Sequence, residues 1–213
     1  MPSRQAAPCE GEGCSCAGQS RCVTCPVTLC RRAHAALDAV RLTRLGSRAG
    51  LTAHLTGLEK STVNRLHREL LGRPSPPGQA PYNEAWYLKS ELRMLQAAVV
   101  WGLYCRLKET GRPSGRLLLN VHASYLALVQ KPVLSLMRVA FVPQLVSAGL
   151  WQPAECTLCG TAYLASRSRP SILCPGCRLL RRFRCLHCGA LLKTEPRGRY
   201  RRTCARCGAA QRH

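Results

Sequence analysis

The spacing of apolar positions divides the chain into a helical body and a region without helical periodicity. From Arg31 the pattern turns helical, with Leu37, Val40 and Leu45 near one face. A longer helix is predicted from Glu84 to Glu109, because Leu88, Leu92, Leu95, Val99 and Leu103 recur at steps of three and four. Gly111 and Pro113 stop it, and Ser114 can cap the next helix, about 115–130, with Leu118, Val121, Tyr125 and Leu128 along one side. Lys131-Pro132 closes that segment. A last helix is expected over 133–148, ended by Gly149 and kinked at Pro143. Cys105 falls in the apolar run of the long helix and reads as a core residue. The Pro-rich stretch RPSPPGQAP (73–81) is a linker, since proline has no N–H and disfavours helix before it.

Residues 48–72, RAGLTAHLTGLEKSTVNRLHRELLG, fit a helix-turn-helix template. Ala53 is the small residue of the first helix, Gly57 the turn, and Val63 the apolar residue beyond it; Leu58 and Leu66 would close the core between the two helices. Thr62, Asn64, Arg65, His67 and Arg68 would then lie on the outer side, within reach of phosphates or base edges. An ordinary helical hairpin shares the glycine turn and is the competing reading.

The rest of the chain is punctuated by cysteines. Cys156, Cys159, Cys174 and Cys177 form two C-x-x-C pairs one hairpin apart, and Cys185, Cys188, Cys204 and Cys207 repeat the pattern. A C-x-x-C turn offers two thiolates to one ion, and four thiolates suit tetrahedral Zn²⁺. Gly160, Gly189 and Gly208 follow the second cysteine of three of these pairs, where a tight turn asks for a residue at ease with positive φ. The prediction is two zinc ribbons, the metals replacing cores that such short segments lack. Disulfide or redox chemistry is the alternative. Cys22, Cys25, Cys30 and His34 are spaced as a third metal site, with Cys9, Cys14 and Cys16 as further candidates; a disordered extension fits these residues equally well.

Charge narrows the function. Lys+Arg is 32 against Asp+Glu 10, a formal +22, so a polyanion is the expected partner. Arginine outnumbers lysine, as a GC-rich genome would give, but codon bias explains less well why acids are scarce. From Arg178 onward the chain is very basic, and Arg197, Arg199, Arg201 and Arg202 surround Tyr200 between the last two cysteine pairs. That cluster reads as a phosphate-contacting surface, or otherwise as a solvated tail. Asp38 is the chain's one aspartate. Clustered carboxylates for a two-metal nuclease are therefore hardly available, and no nucleophile elbow, H-E-x-x-H or P-loop is present. An enzyme is not expected. Neither a signal peptide nor a transmembrane stretch is apparent, so the expectation is a cytoplasmic chain that does not engage membranes.

These residues together resemble the FlhC family, the C subunit of the bacterial flagellar master regulator. The resemblance runs from about Leu37 to Leu179 and is carried by LGSR (45–48), RLHRELLG (65–72), RPSPPGQAPYNEAW (73–86), KETG (108–111), FVPQLVSAGLWQ (141–152) and the quartet at 156, 159, 174 and 177. It implies a DNA-binding transcriptional activator of flagellar (class II) and other promoters, working on RNA polymerase. It also implies an FlhD-type partner, two C with four D subunits, and a structural zinc on Cys156, Cys159, Cys174 and Cys177. The Cys-rich start and the second quartet look like additions to the family pattern. The expected organisation is a Cys-rich extension (1–30), a helical domain (31–150), a first zinc module (151–180) and a basic second ribbon (181–213), a mainly α-helical body followed by zinc-ribbon-like modules. The rival reading is a partner-independent zinc-ribbon protein that binds DNA or RNA, as in a mobile element.

Overall fold

Asp38 decides how the first helix packs. In the computed structural model, which describes residues 28–78, 81, 83–185, 187–192 and 203–210, α1 spans Thr28–Arg44. Its predicted face is not the buried one: Leu37 and Leu45 are 51% and 44% exposed, while Asp38, Ala39, Leu42 and Thr43 are buried. The cause lies far along the chain. Arg116 reaches Asp38 with Nη2 at 2.7 Å and Nε at 2.8 Å. Satisfying a buried carboxylate fixes the helix rotation more firmly than two leucines do.

The described residues fall into two compact units, one within Met1–Ser75 and Arg106–Leu119, the other within Pro76–Cys105 and Asn120–His213. In the first, α1 packs with α2 (Ala49–Thr56) and α3 (Lys60–Leu71). Gly57 ends α2 in the left-handed conformation, φ 71°, and its N–H bonds the Ala53 carbonyl at 2.9 Å. This is the turn that the helix-turn-helix template requires. Val63 is fully buried, and Leu58 and Leu66 are half-buried. Inside the same unit Thr52 donates its hydroxyl to Ser47 at 2.9 Å.

The second unit corrects the prediction of one helix over 84–109. A short α4, Ala85–Leu88, is followed by a break at Lys89-Ser90 and then by α5, Glu91–Lys108. The break turns Tyr87 fully inward, where its hydroxyl donates to the Arg138 carbonyl at 2.7 Å. The buried side of α5 is Met94, Gln96, Ala97 and Val100, and Leu92 of the predicted stripe is 40% exposed. Gln96 is inside because it ties down a connection: its Nε2 donates to the Lys131 carbonyl at 2.9 Å, and its Oε1 accepts from the Val133 N–H at 2.9 Å and from the Tyr125 hydroxyl. Tyr125, on α6 (Ser114–Leu128), accepts from the N–H groups of Val133 and Leu134. Held this way, residues 131–135 cannot join the next helix. Accordingly α7 spans Leu136–Ser147 rather than starting at 133, and it continues through Pro143. Cys105 is half-buried rather than core.

After α7 come an antiparallel hairpin, β1 (Trp151–Glu155) and β2 (Ala162–Ser166), and two short helices, α8 (Pro175–Arg181) and α9 (Ala205–Ala210). The fold is thus mainly helical with cysteine modules behind it, as the sequence predicts. Among the described residues no helix is long and apolar enough to cross a membrane.

Candidate metal centres and helix-turn-helix surface

The first quartet is built from a hairpin tip and a helix start. β1 delivers Cys156, and the turn through Cys159 closes with the Gly160 N–H on the Cys156 carbonyl at 2.9 Å. Cys174 caps α8, its sulfur accepting the Cys177 N–H at 3.3 Å, with Pro175 opening the helix. The Cys174 N–H in turn bonds the Cys156 sulfur at 3.3 Å. All four Sγ atoms lie within 4.8 Å of one another, and Cys159 and Cys174 are 3.8 Å apart. Four sulfurs about 2.3 Å from one ion would be about 3.8 Å from each other, so the cage fits a tetrahedral zinc-sized cation. N–H groups aimed at sulfur favour the thiolate: Cys156 is pulled down to about 6, chiefly by the Cys174 N–H, and Cys159 is also lowered, chiefly by the Thr161 hydroxyl. Cys177 is pushed upward by sharing hydrogen bonds with the thiols of Cys159 and Cys174. Such thiols give up their remaining protons when a metal binds.

The protein also supports this module directly. Trp151, fully buried, stacks edge-on to Tyr87 at 5.1 Å and donates Nε1 to Glu84. Ser168 donates to the same carboxylate. Arg178 of α8 pairs with Glu91 of α5 at 2.7 Å. Tyr163, Ala165, Cys156, Cys174 and Cys177 form a small core of their own. Sequence reasoning missed these anchors. The available signal was scarcity: in a chain with 10 acids against 32 bases, each acid is a marked residue, and Asp38, Glu84 and Glu91 all hold structure.

The second quartet repeats the sulfur geometry. Cys185, Cys188, Cys204 and Cys207 also lie within 4.8 Å of one another, with Cys188 and Cys204 3.6 Å apart. The Gly189 N–H bonds the Cys185 carbonyl at 3.0 Å, and the Cys207 N–H reaches the Cys204 sulfur at 3.5 Å. Cys185 is pulled down to about 6, chiefly by the Cys188 N–H, and Cys207 is raised by the thiols of Cys188 and Cys204. Among the described residues a single bridge, Arg184 with Leu191, joins this module's strands of chain. Cys185 is buried, Cys188 exposed, and Cys204 and Cys207 half-buried.

On α3, Thr62, Arg65 and Arg68 are exposed and Asn64 is half-buried. Arg65 makes an exposed contact with Glu69 at 3.7 Å. His67 is a correction: it is fully buried, with neither ring nitrogen hydrogen-bonded among the described residues. Burial pushes its pKa down, the nearby Ser47 backbone opposing. Position 67 lies four residues after Val63, so it shares the inward face rather than the outer one. Arg197, Arg199, Arg201 and Arg202 lie outside the described residues, as do Cys9, Cys14, Cys16, Cys22 and Cys25. Cys30 is half-buried on α1 and belongs to neither quartet.

A tri-helical unit with a glycine-ended turn, joined in one chain to four-cysteine modules of zinc-ribbon type, defines a mainly helical protein with candidate metal-binding modules. Comparison with known families makes this specific. The family model described as "Flagellar transcriptional activator (FlhC)" matches residues 27–190, and the chain belongs to that family. It is 27% identical over 149 residues to the flagellar transcriptional regulator FlhC of Xenorhabdus nematophila, covering 66% of this chain and 76% of that one. It is 29% identical over 135 residues to the FlhC of Enterobacter cloacae, covering 60% and 70%. It is 26% identical over 148 residues to that of Serratia marcescens, covering 66% and 76%. The family match contains the whole first quartet but only Cys185 and Cys188 of the second.

Proposed function

We propose that the chain is a cytoplasmic DNA-binding transcriptional activator of flagellar promoters. It acts with an FlhD-type partner, two C with four D subunits, and targets RNA polymerase. The observation that carries this reading is one family match spanning both the glycine-turned helix pair and the complete first quartet. Thr62, Asn64, Arg65 and Arg68 of α3 contact DNA, helped by Arg197, Arg199, Arg201 and Arg202, and the formal +22 draws the complex to the phosphates. One zinc sits on Cys156, Cys159, Cys174 and Cys177 and a second on Cys185, Cys188, Cys204 and Cys207. The metals supply folding free energy and no reaction step.

A mobility shift on flagellar promoter duplex tests this, with the chain alone and with the partner co-expressed. A specific shift that requires the partner, with steep salt dependence, is the expected result. The second reading, a partner-independent DNA- or RNA-binding protein, is favoured by one observation: Cys204 and Cys207 complete a quartet beyond the family match. Tight binding by the chain alone, unchanged by the partner or with RNA preferred, would select that reading.

A further inference from the structure

Trp86 carries two arginines. The Arg93 guanidinium carbon lies 4.0 Å from the indole centroid and that of Arg138 lies 4.5 Å from it. All three residues are half-buried. Arg93 spends one donor, its Nη1, on the Trp86 carbonyl at 2.8 Å. Among the described residues neither arginine forms an ion pair. The neighbouring carboxylates are already engaged: Glu84 accepts from Trp151 and Ser168, and Glu91 pairs with Arg178. Arg138 moreover lies in the first turn of α7, where the helix dipole disfavours a cation.

Two half-desolvated positive charges on one ring repel each other. The aromatic ring offsets part of that cost and holds both guanidinium groups beside it. A guanidinium packed on a ring still has N–H donors to offer, and their fork matches phosphate oxygens. We propose that Arg93 and Arg138, held by Trp86, form a phosphate-binding site that takes the DNA backbone. This rests on the DNA-binding reading above and adds to it a contact away from the helix-turn-helix.

The test is equilibrium binding of the full chain, co-purified with its partner, to promoter duplex between about 50 and 300 mM salt. Wild type is compared with Arg93→Gln/Arg138→Gln and with Arg93→Lys/Arg138→Lys. The glutamine variant should lose about tenfold in affinity at 0.1 M salt, and its log–log salt slope should fall in magnitude by about 1 to 2. The lysine variant should keep most of the slope, and both should retain wild-type metal content. A glutamine variant with the wild-type slope overturns the site while leaving DNA binding intact. A lowered affinity that follows only a lowered midpoint, with the slope unchanged, also overturns it. Wild-type protein that binds no duplex at any salt overturns the DNA reading itself, and the site with it.

Discussion

The module around Cys156 and the module around Cys185 use the same ligands at nearly the same spacing, yet they stand on different supports. The first has a five-residue hairpin register, a helix capped by one of its own ligands, and ties from Glu84 and Glu91 to the helical body. Among the described residues the second has one bridge, and three of its four cysteines are exposed or half-buried. Four sulfurs in a tetrahedron can therefore be reached in two ways. In one, protein packing preforms the cage and an ion would finish it. In the other, few supports stand among the described residues, and the cage would lean more on its ion. The cost of losing an ion should differ accordingly.

Ligand replacement should give the largest effect. Structural zinc in small modules contributes about 10–16 kcal/mol of apparent binding energy. Cys156→Ser should reduce the metal content by one ion and lower amide protection across 151–181. Cys204→Ser should also remove one ion yet leave 151–181 protected. Loss of protection in 151–181 in the Cys204→Ser protein would mean that the two cages form one cooperative structure. Next in size is the protein support itself. Glu84→Gln weakens the charged acceptor shared by Trp151 and Ser168, at a cost of about 1.5–3 kcal/mol. Its thermal midpoint should fall with both metals retained, and an unchanged midpoint would mean that Glu84 does not support the module.

Acid should act on the helical parts. Burial lowers the pKa of His67 and of His122 from 6.5. The unfolded chain therefore takes up protons as pH falls below about 6.5 while the folded chain does not. Stability is fully present above that pH and declines below it, by at most about 1.4 kcal/mol per pH unit for each group. Denaturant melts from pH 7.5 to 5.5 should show this decline, and His67→Gln should flatten it; a rise in stability toward pH 5.5 would reverse the sign. The smallest effect is expected at the Arg178–Glu91 pair, whose side chains are about a quarter exposed. Arg178→Met should cost about 1 kcal/mol or less, read as slightly faster exchange in α8.

What the sequence revealed follows how local each constraint is. The quartets were legible because a C-x-x-C turn presents its two sulfurs whatever the rest of the chain does. The helix pair at 49–71 was legible because Gly57 and Val63 act within a few residues of each other. The buried face of α1 was not legible, because it is set by Arg116, 78 residues from Asp38. The break at Lys89-Ser90 and the non-helical 131–135 segment were hidden for the same reason. They depend on Tyr87 meeting Arg138 and on Gln96 meeting Tyr125 and Val133, contacts between distant stretches that periodicity does not encode. His67 shows two local signals in conflict: imidazole polarity suggests the surface, while helical spacing from Val63 sends the ring inward, and spacing wins.

The most direct measurement is stepwise chelation of the intact protein, with zinc release counted by a chromophoric chelator and amide exchange followed in parallel. Two ions per chain are expected, the first lost together with protection in 185–192 and 203–208, the second later with protection in 151–181. One ion per chain, or two ions lost together with a single collapse of both regions, would contradict two separately supported cages.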